Sequence, residues 1–339
     1  MKYNNFLTIT SGSKLFGTST PTSDTDVKMI YLPSHASLIL GYPLKVTKLK
    51  LDANGNKISD DEKMPDNGTE TEYIPLQKFV RDFVQGQTYA VEIAFGYLSQ
   101  PEVDLHTMTF IQEMVEKFTN ADVLAMTRFA DKQTFDYVKR GERFNIAKNI
   151  LAALDKVIST DPLALYRLDS RVRSGEYTGQ LVLDMISTLT GLPIGGSINS
   201  NKTLRTLELN SRQYLETTSI THIRGLVVKQ MQAYGDRTRE TATKEVDFKS
   251  LSHAVRVYQQ AIELLDTSKI TFPRPNAPAL LAIKKGQVSI KTVREILANL
   301  EVEVALKLKT TKLQPHSEEL DTACEFWLLE KLSHIYGLK

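Results

Sequence analysis

The chain has 339 residues, 41% of them hydrophobic and 24% charged, a balance that excludes a disordered chain and allows one large domain or two ordinary ones. A formal net charge of +2 is too small to announce a nucleic-acid partner, and the single cysteine, Cys324, excludes an internal disulfide and a cysteine-rich zinc site. The N-terminal MKYNNFLTIT has no apolar run of signal-peptide length, and no stretch approaches the roughly eighteen uncharged residues of a membrane span, so the expected location is the cytoplasm with no membrane partner.

Up to about residue 75 the short apolar segments FLTIT, DVKMIYL, SLILG, LKVTKLKL and TEYI are separated by Gly, Pro, Asn and Ser, which predicts strands and turns. The alternation in KVTKLKL followed by Asn54-Gly55 is a hairpin signal, because both turn positions need positive φ. DANGNKISDDEKMPDNGTE beyond it reads as a polar loop. From there the period becomes helical: LQKFVRDFVQGQ, VLAMTRFADKQTFDYVKRGERFNIAKNILAALDKVI, SLSHAVRVYQQAIELLD and KTVREILANLEVEVALKLK all place apolar residues three and four apart. The middle of the chain, LDSRVRSGEYTGQLVLDMISTLTGLPIGGSINSNKTLRTLELN, predicts some helix and loop and nothing firmer. Cys324, set in ACEFWLLEKL, reads as a packed thiol. The expected fold class is α+β.

One stretch carries chemistry. GSKLFGTSTPTSDTDVK, residues 12 to 28, opens with the glycine spacing of a P-loop, but Thr18 stands where the phosphate-binding lysine is needed. Its second half is the informative one. Asp24 and Asp26 lead into VKMIYL, so on a strand both carboxylates project from one face, about 6–7 Å apart along the chain, a spacing that lets them share a divalent ion such as magnesium. Ahead of them TITSGS reads as a strand ending in Gly12-Ser13, where backbone amides and a hydroxyl approach phosphate closely. The plain alternative is a polar turn before a strand.

Gly-Ser, about ten residues, then Asp-x-Asp resembles the signature of the DNA polymerase β-type nucleotidyltransferase superfamily. The resemblance implies a third carboxylate on a later strand, just before the first long helix. Glu72 in TETEYIPLQKFV is the choice, with Glu70 as the alternative. FADKQTFDYVKRGERFNIAKNIL and DFKSLSHAVRVYQQAIELLDTSKITFPRPNAPALLAIKKGQ further resemble a family of predicted nucleotidyltransferases of bacteria and their phages, which carries Lys, His and Arg on a helix before a Phe-Pro-Arg-Pro turn. Here these are Lys249, His253, Arg256 and FPRP at 272 to 275. Lys28-Met29 departs from the glycine that members more often carry after Asp-x-Asp.

What the resemblance implies is a small mixed-sheet nucleotidyltransferase core over residues 1–100 and a mainly α-helical domain over 101–339 closing over the active site. It also implies transfer of a nucleoside monophosphate from a nucleoside triphosphate to an acceptor hydroxyl, with two Mg2+ (or Mn2+) ions on Asp24, Asp26 and Glu72. Gly12, Ser13, Lys249, His253 and Arg256 would bind the nucleotide, and Leu251, Val255, Ile262 and Leu265 would be the apolar stripe of the same helix. The expected arrangement sets Lys249 and Arg256 on the phosphates, and His253 on phosphate or acceptor, across a cleft between the two domains. The acceptor is open: an RNA end, a protein hydroxyl or a small molecule. The other class of function is an inactive nucleotide-sensing or RNA-binding module on the same fold. Residues 269 to 312 hold nine basic residues against three acidic ones, either a solvated surface or a contact to a phosphate backbone.

Overall fold

The computed structural model describes residues 4–59, 64–194, 196–199, 205–210, 212–234 and 247–337. In chain order the elements are β1 (Asn4–Ser11), α1 (Gly12–Phe16), β2 (Thr25–Leu32), α2 (His35–Ile39), β3 (Thr47–Leu51), β4 (Thr69–Pro75), α3 (Leu76–Val84), α4 (Thr88–Leu98), α5 (Leu105–Phe118) and α6 (Leu124–Thr160). They continue with α7 (Ala164–Arg173), α8 (Gly179–Thr190), β5 (Ser197–Asn199), β6 (Thr206–Leu209), β7 (Arg212–Leu215) and α9 (Ile220–Ala233). Last come α10 (Phe248–Thr267), α11 (Ala277–Lys284), α12 (Ile290–Thr310) and α13 (Glu318–Tyr336). The fold is α+β, with a four-stranded mixed sheet and a helical C-terminal region. Among the described residues no helix is long and apolar enough to cross a membrane.

The chain forms two compact units, Met1–Gln133 with Phe248–Lys339, and Thr134–Asp247. The division therefore does not fall at residue 100. The C-terminal helices share the core of the first sheet: Val257, Ala261 and Leu264 of α10 and Trp327 and Leu328 of α13 are buried in one cluster with Ile9, Ile30, Ile74 and Phe79. Trp327 packs on Phe110 and Phe118 at 4.8 and 5.3 Å between ring centroids, and its indole N–H donates to Glu113 at 2.8 Å. Cys324 is buried beside it, and burial pushes its thiol up to about 11.

In the first unit the strand order is β1-β2-β4-β3. β1 runs antiparallel to β2, β2 parallel to β4, and β3 antiparallel to β4. Ser11, Ile9 and Leu7 of β1 stand opposite Asp26, Lys28 and Ile30 of β2, and these in turn oppose Glu70, Glu72 and Ile74 of β4. Cross-strand partners share a face, so this single face runs from an apolar end in the core to a charged end. SLILG, expected as strand, contributes instead to the short helix α2, because the Ser34 hydroxyl accepts the Ser37 N–H and caps it. The hairpin signal is partly realised: Gly55 takes a φ of +83°, Asp52 accepts the N–H groups of Asn54 and Asn56, but the returning arm is a lone bridge from Leu51 to Lys57. Residues 60–63 of the polar loop lie outside the described residues.

The second unit has its own core, in which Ile150 and Leu154 of α6 meet Val182 and Ile186 of α8, Leu207 of β6 and Ile223 of α9. In its antiparallel sheet, β5-β6-β7, β5 and β6 lie in the stretch that the sequence leaves unassigned and β7 just after it, since strands of three and four residues are too short to show a period. Asp169 is buried and accepts the N–H groups of Ile220 and Thr221, at 2.5 and 3.2 Å, at the start of α9. A carboxylate there satisfies orphan donors and opposes the helix dipole. Asp169→Ala is expected to destabilise this unit by about 2 kcal/mol, seen as an earlier transition in thermal or urea unfolding, whereas Asp184→Ala on the exposed side of α8 is expected to change nothing measurable.

Candidate functional site

The charged end of the sheet becomes a site through the turn after β1. Gly12 has a φ of +63°, and a Cβ there would lie 2.0 Å from Oδ2 of Asp26. Glycine is needed twice over, for the backbone conformation and for the carboxylate beside it. The single turn of α1 closes at Gly17, in the left-handed conformation, with Thr18 N–H donating to the Ser13 carbonyl at 2.8 Å. What the sequence shows as half a P-loop is thus a tight turn that delivers the chain to Asp24. Gly12→Ala is expected to lower stability by about 1–2 kcal/mol from the backbone alone and to displace Asp26. A melting temperature unchanged within about 1 °C, roughly half of the smallest shift expected, would contradict this.

A cavity of about 400 Å³ opens here, lined among others by Gly12, Ser13, Asp24, Asp26, Lys249, His253, Arg256 and Lys284. All belong to the first unit, so the expected aspartates and helix cations meet within one unit and not across a boundary between two. Burial, and next the neighbouring Asp24, raise the pKa of Asp26; Glu70 adds to this, while Lys28 and Lys249 oppose it. Burial and the charge of Lys249 lower the pKa of Lys284, against the pull of both aspartates.

The two glutamates differ in place. Glu70 stands opposite Asp26 across the β2–β4 pair, and Glu72 opposite Lys28. Burial would raise the Glu72 pKa, but its ion pair with Lys28 and the nearby Lys48 hold it below the usual range. Lys48 also binds Glu70, at 2.9 Å. Among the described residues no group of three or more His, Cys, Asp or Glu side chains is arranged to hold a metal ion. Of the expected Asp24, Asp26 and Glu72 set, Glu72 is engaged by Lys28 and Lys48.

Arg256 reaches the cavity wall but its guanidinium is engaged. It pairs with Glu92 of α4, donates to Gln260 Oε1 at 3.0 Å, lies 2.7 Å from His253 Nδ1, and stacks 3.6 Å from the centre of the Phe16 ring. A guanidinium only donates, so Nδ1 of His253 is the acceptor and a neutral ring carries its proton on Nε2. The apolar side of α10 packs as its period requires, with Leu251, Val255 and Leu265 buried and Ile262 partly so. The FPRP turn backs the site, since Arg274 N–H donates to the Phe16 carbonyl at 3.2 Å and its side chain pairs with Glu263.

Lys284 is the site residue that the sequence does not single out. In the basic run of 269 to 312 it is one of nine, and the structure disperses that run: Arg274 is buried against Glu263, Lys307 pairs with Asp266, and Lys284 turns into the cavity. Its one signal is position, at the end of α11 one turn after the buried Leu280, which sets it on the inward side.

No known family model matches the chain, and no solved structure matches it. It is similar to the uncharacterized 38.9 kDa protein of the nrdC–mobD intergenic region of Enterobacteria phage T4, with 26% identity over 328 residues that span 93% of this chain and 92% of that protein. A similarity of that length takes in both compact units.

Proposed function

We propose that the chain is a metal-dependent nucleotidyltransferase, which moves a nucleoside monophosphate from a nucleoside triphosphate to an acceptor hydroxyl and releases pyrophosphate. One observation carries the reading: two carboxylates, Asp24 and Asp26, and two ammonium groups, Lys249 and Lys284, line one cavity, and among the described residues none of the four closes an ion pair with another. Elsewhere in this unit the less exposed charges are matched, as Arg256 with Glu92, Arg274 with Glu263 and Lys28 with Glu72. Opposite charges kept apart around an open space suit a ligand that brings both signs, a divalent cation and a polyphosphate.

The donor set fits the cation. Mg2+ is ordinarily held by one or two carboxylates and completed by water and substrate phosphates, so two aspartates suffice. When bound, Mg2+ or Mn2+ supplies a Lewis acid at the α-phosphate and eases ionisation of the acceptor hydroxyl. The chain's own residues do the rest by position. Gly12 keeps the backbone close to Asp26, and Ser13 offers a hydroxyl beside the phosphates. Glu70, whose charge is felt at Asp26, is the better third carboxylate, and Glu72 serves as counter-ion to Lys28. The proposed setting is the bacterial cytoplasm, which the phage origin of the similar protein supports.

The lysine grip on both glutamates favours a second reading, a nucleotide-sensing module without turnover. Incubation with each labelled nucleoside triphosphate, Mg2+ or Mn2+ and a bacterial lysate separates the two. Transfer predicts label in RNA, protein or small molecules together with released pyrophosphate. Binding without either supports the sensor.

A further inference from the structure

We infer that a second cavity, apart from the one described above, binds a small molecule with an apolar body and a single carboxylate head. The body lies among Phe95, Leu98, Met108, Val115, Ile270 and Leu313, and the head meets the Lys269 ammonium. The inference stands independently of the proposed function, since the two cavities share no lining residue.

The space is about 580 Å³, larger than the candidate site and within the usual range for small-molecule sites. It lies inside the first unit, between α4, α5, the segment that follows α10 and the segment that follows α12. Phe95 and Ile270 are buried, so its floor is part of the core. The hydroxyls at its wall are spent on their own helices: Ser99 donates to the Phe95 carbonyl at 2.8 Å, and Thr119 to the Val115 carbonyl at 2.6 Å. A ligand body therefore meets carbon and is held by apolar burial. Charge enters only at the rim, from Glu116 and Lys269. Glu116 accepts an N–H from the Gln112 amide at 3.0 Å, whereas the Lys269 ammonium closes no ion pair or hydrogen bond among the described residues. The unspent charge at the rim is thus positive and suits an anionic head. Ser268 brings it there. With a φ of +57° and its N–H on the Leu264 carbonyl at 2.8 Å, it stands where a helix end ordinarily has glycine, and the chain turns off α10 so that Lys269 and Ile270 reach the cavity. α4 carries Glu92, the partner of Arg256, one turn before Phe95, so an occupant packs on the helix that holds a wall of the candidate site.

The test is titration calorimetry and thermal unfolding of the full chain with decanoate, decanol and decylammonium at millimolar concentration. Decanoate is expected to bind, to raise the melting temperature as its concentration rises, and to bind more tightly than decanol, with decylammonium the weakest. Lys269→Gln is expected to weaken decanoate about three- to fivefold and to leave decanol within about twofold. Because Lys269 is exposed, this variant is expected to melt with the parent. Glu116→Gln, which removes the one negative charge at the rim, is expected to tighten decanoate binding. Met108→Trp fills the space from a partly buried position and is expected to abolish binding of all three compounds; should it fail to fold, Lys269→Gln decides. The inference is overturned if the parent does not bind decanoate at millimolar concentration, if decylammonium binds as tightly as decanoate, if Lys269→Gln keeps the parent's preference for decanoate over decanol, or if a folded Met108→Trp binds as the parent does.

Discussion

Asp24→Asn and Asp26→Asn proteins are expected to stay folded and to lose nucleotide transfer by at least about 10²–10³-fold. The two effects have one origin. The carboxylates crowd one another at the partly buried end of the sheet, with Glu70 adding to the repulsion at Asp26, so removing one charge relieves the unliganded protein while it removes a donor to the cation. A melting temperature equal to or above that of the parent, together with lost transfer, is the signature of residues kept for function against stability. Circular dichroism melts and the labelled-triphosphate assay measure the pair. A correctly folded Asp24→Asn, Asp26→Asn double variant with parental activity would refute the proposed chemistry, and a double variant that unfolds would show the aspartates to be structural. Glu72→Gln divides the acidic residues further. As counter-ion to Lys28 and Lys48 it is expected to change stability more than transfer.

What could be read from sequence follows the range of the interactions concerned. Asp26 and Gly12 were legible because a strand's alternation and a tight turn are local, whereas Asp24, expected on the same strand, lies just before β2, and Gly12 meets Asp26 where Ser11 of β1 pairs with Asp26 of β2. The apolar stripe Leu251, Val255, Leu265 was legible for the same reason, one helix and one period. The choice between Glu70 and Glu72 was not, since both lie on one strand face and only the register with β2 sets Glu70 against Asp26; a slip of two residues keeps the face and exchanges the partners. Lys284 needed the packing of α11, and the return of residues 248–339 to the first unit needed Trp327 to find Phe110 and Phe118. SLILG shows a local rule misapplied, an apolar run overruled by the Ser34 cap.

The strongest case of a residue whose type suggests one task and whose surroundings give it another is Arg256, and its removal is expected to be a stability event. The side chain is 6% exposed and its partner Glu92 12%, so Arg256→Ala strands a carboxylate between α4 and α10, takes a donor from Gln260 and His253, and uncovers the Phe16 ring at the base of the cavity. Breaking one side of such a buried pair costs about 3–5 kcal/mol, on the order of 10 °C in melting temperature for a unit of this size. Glu92→Gln, which strands the cation instead, is expected to cost a similar amount. Replacing both with methionine is expected to recover most of the loss, because two matched apolar groups leave nothing uncompensated, and a double-mutant cycle built from Arg256→Met, Glu92→Met and that double variant gives the coupling energy directly. The alternative that Arg256 is spent on phosphate makes the opposite forecast. Arg256→Ala would then melt within a degree or two of the parent while losing triphosphate affinity, and Glu92→Gln, by freeing the guanidinium, would bind triphosphate more tightly than the parent.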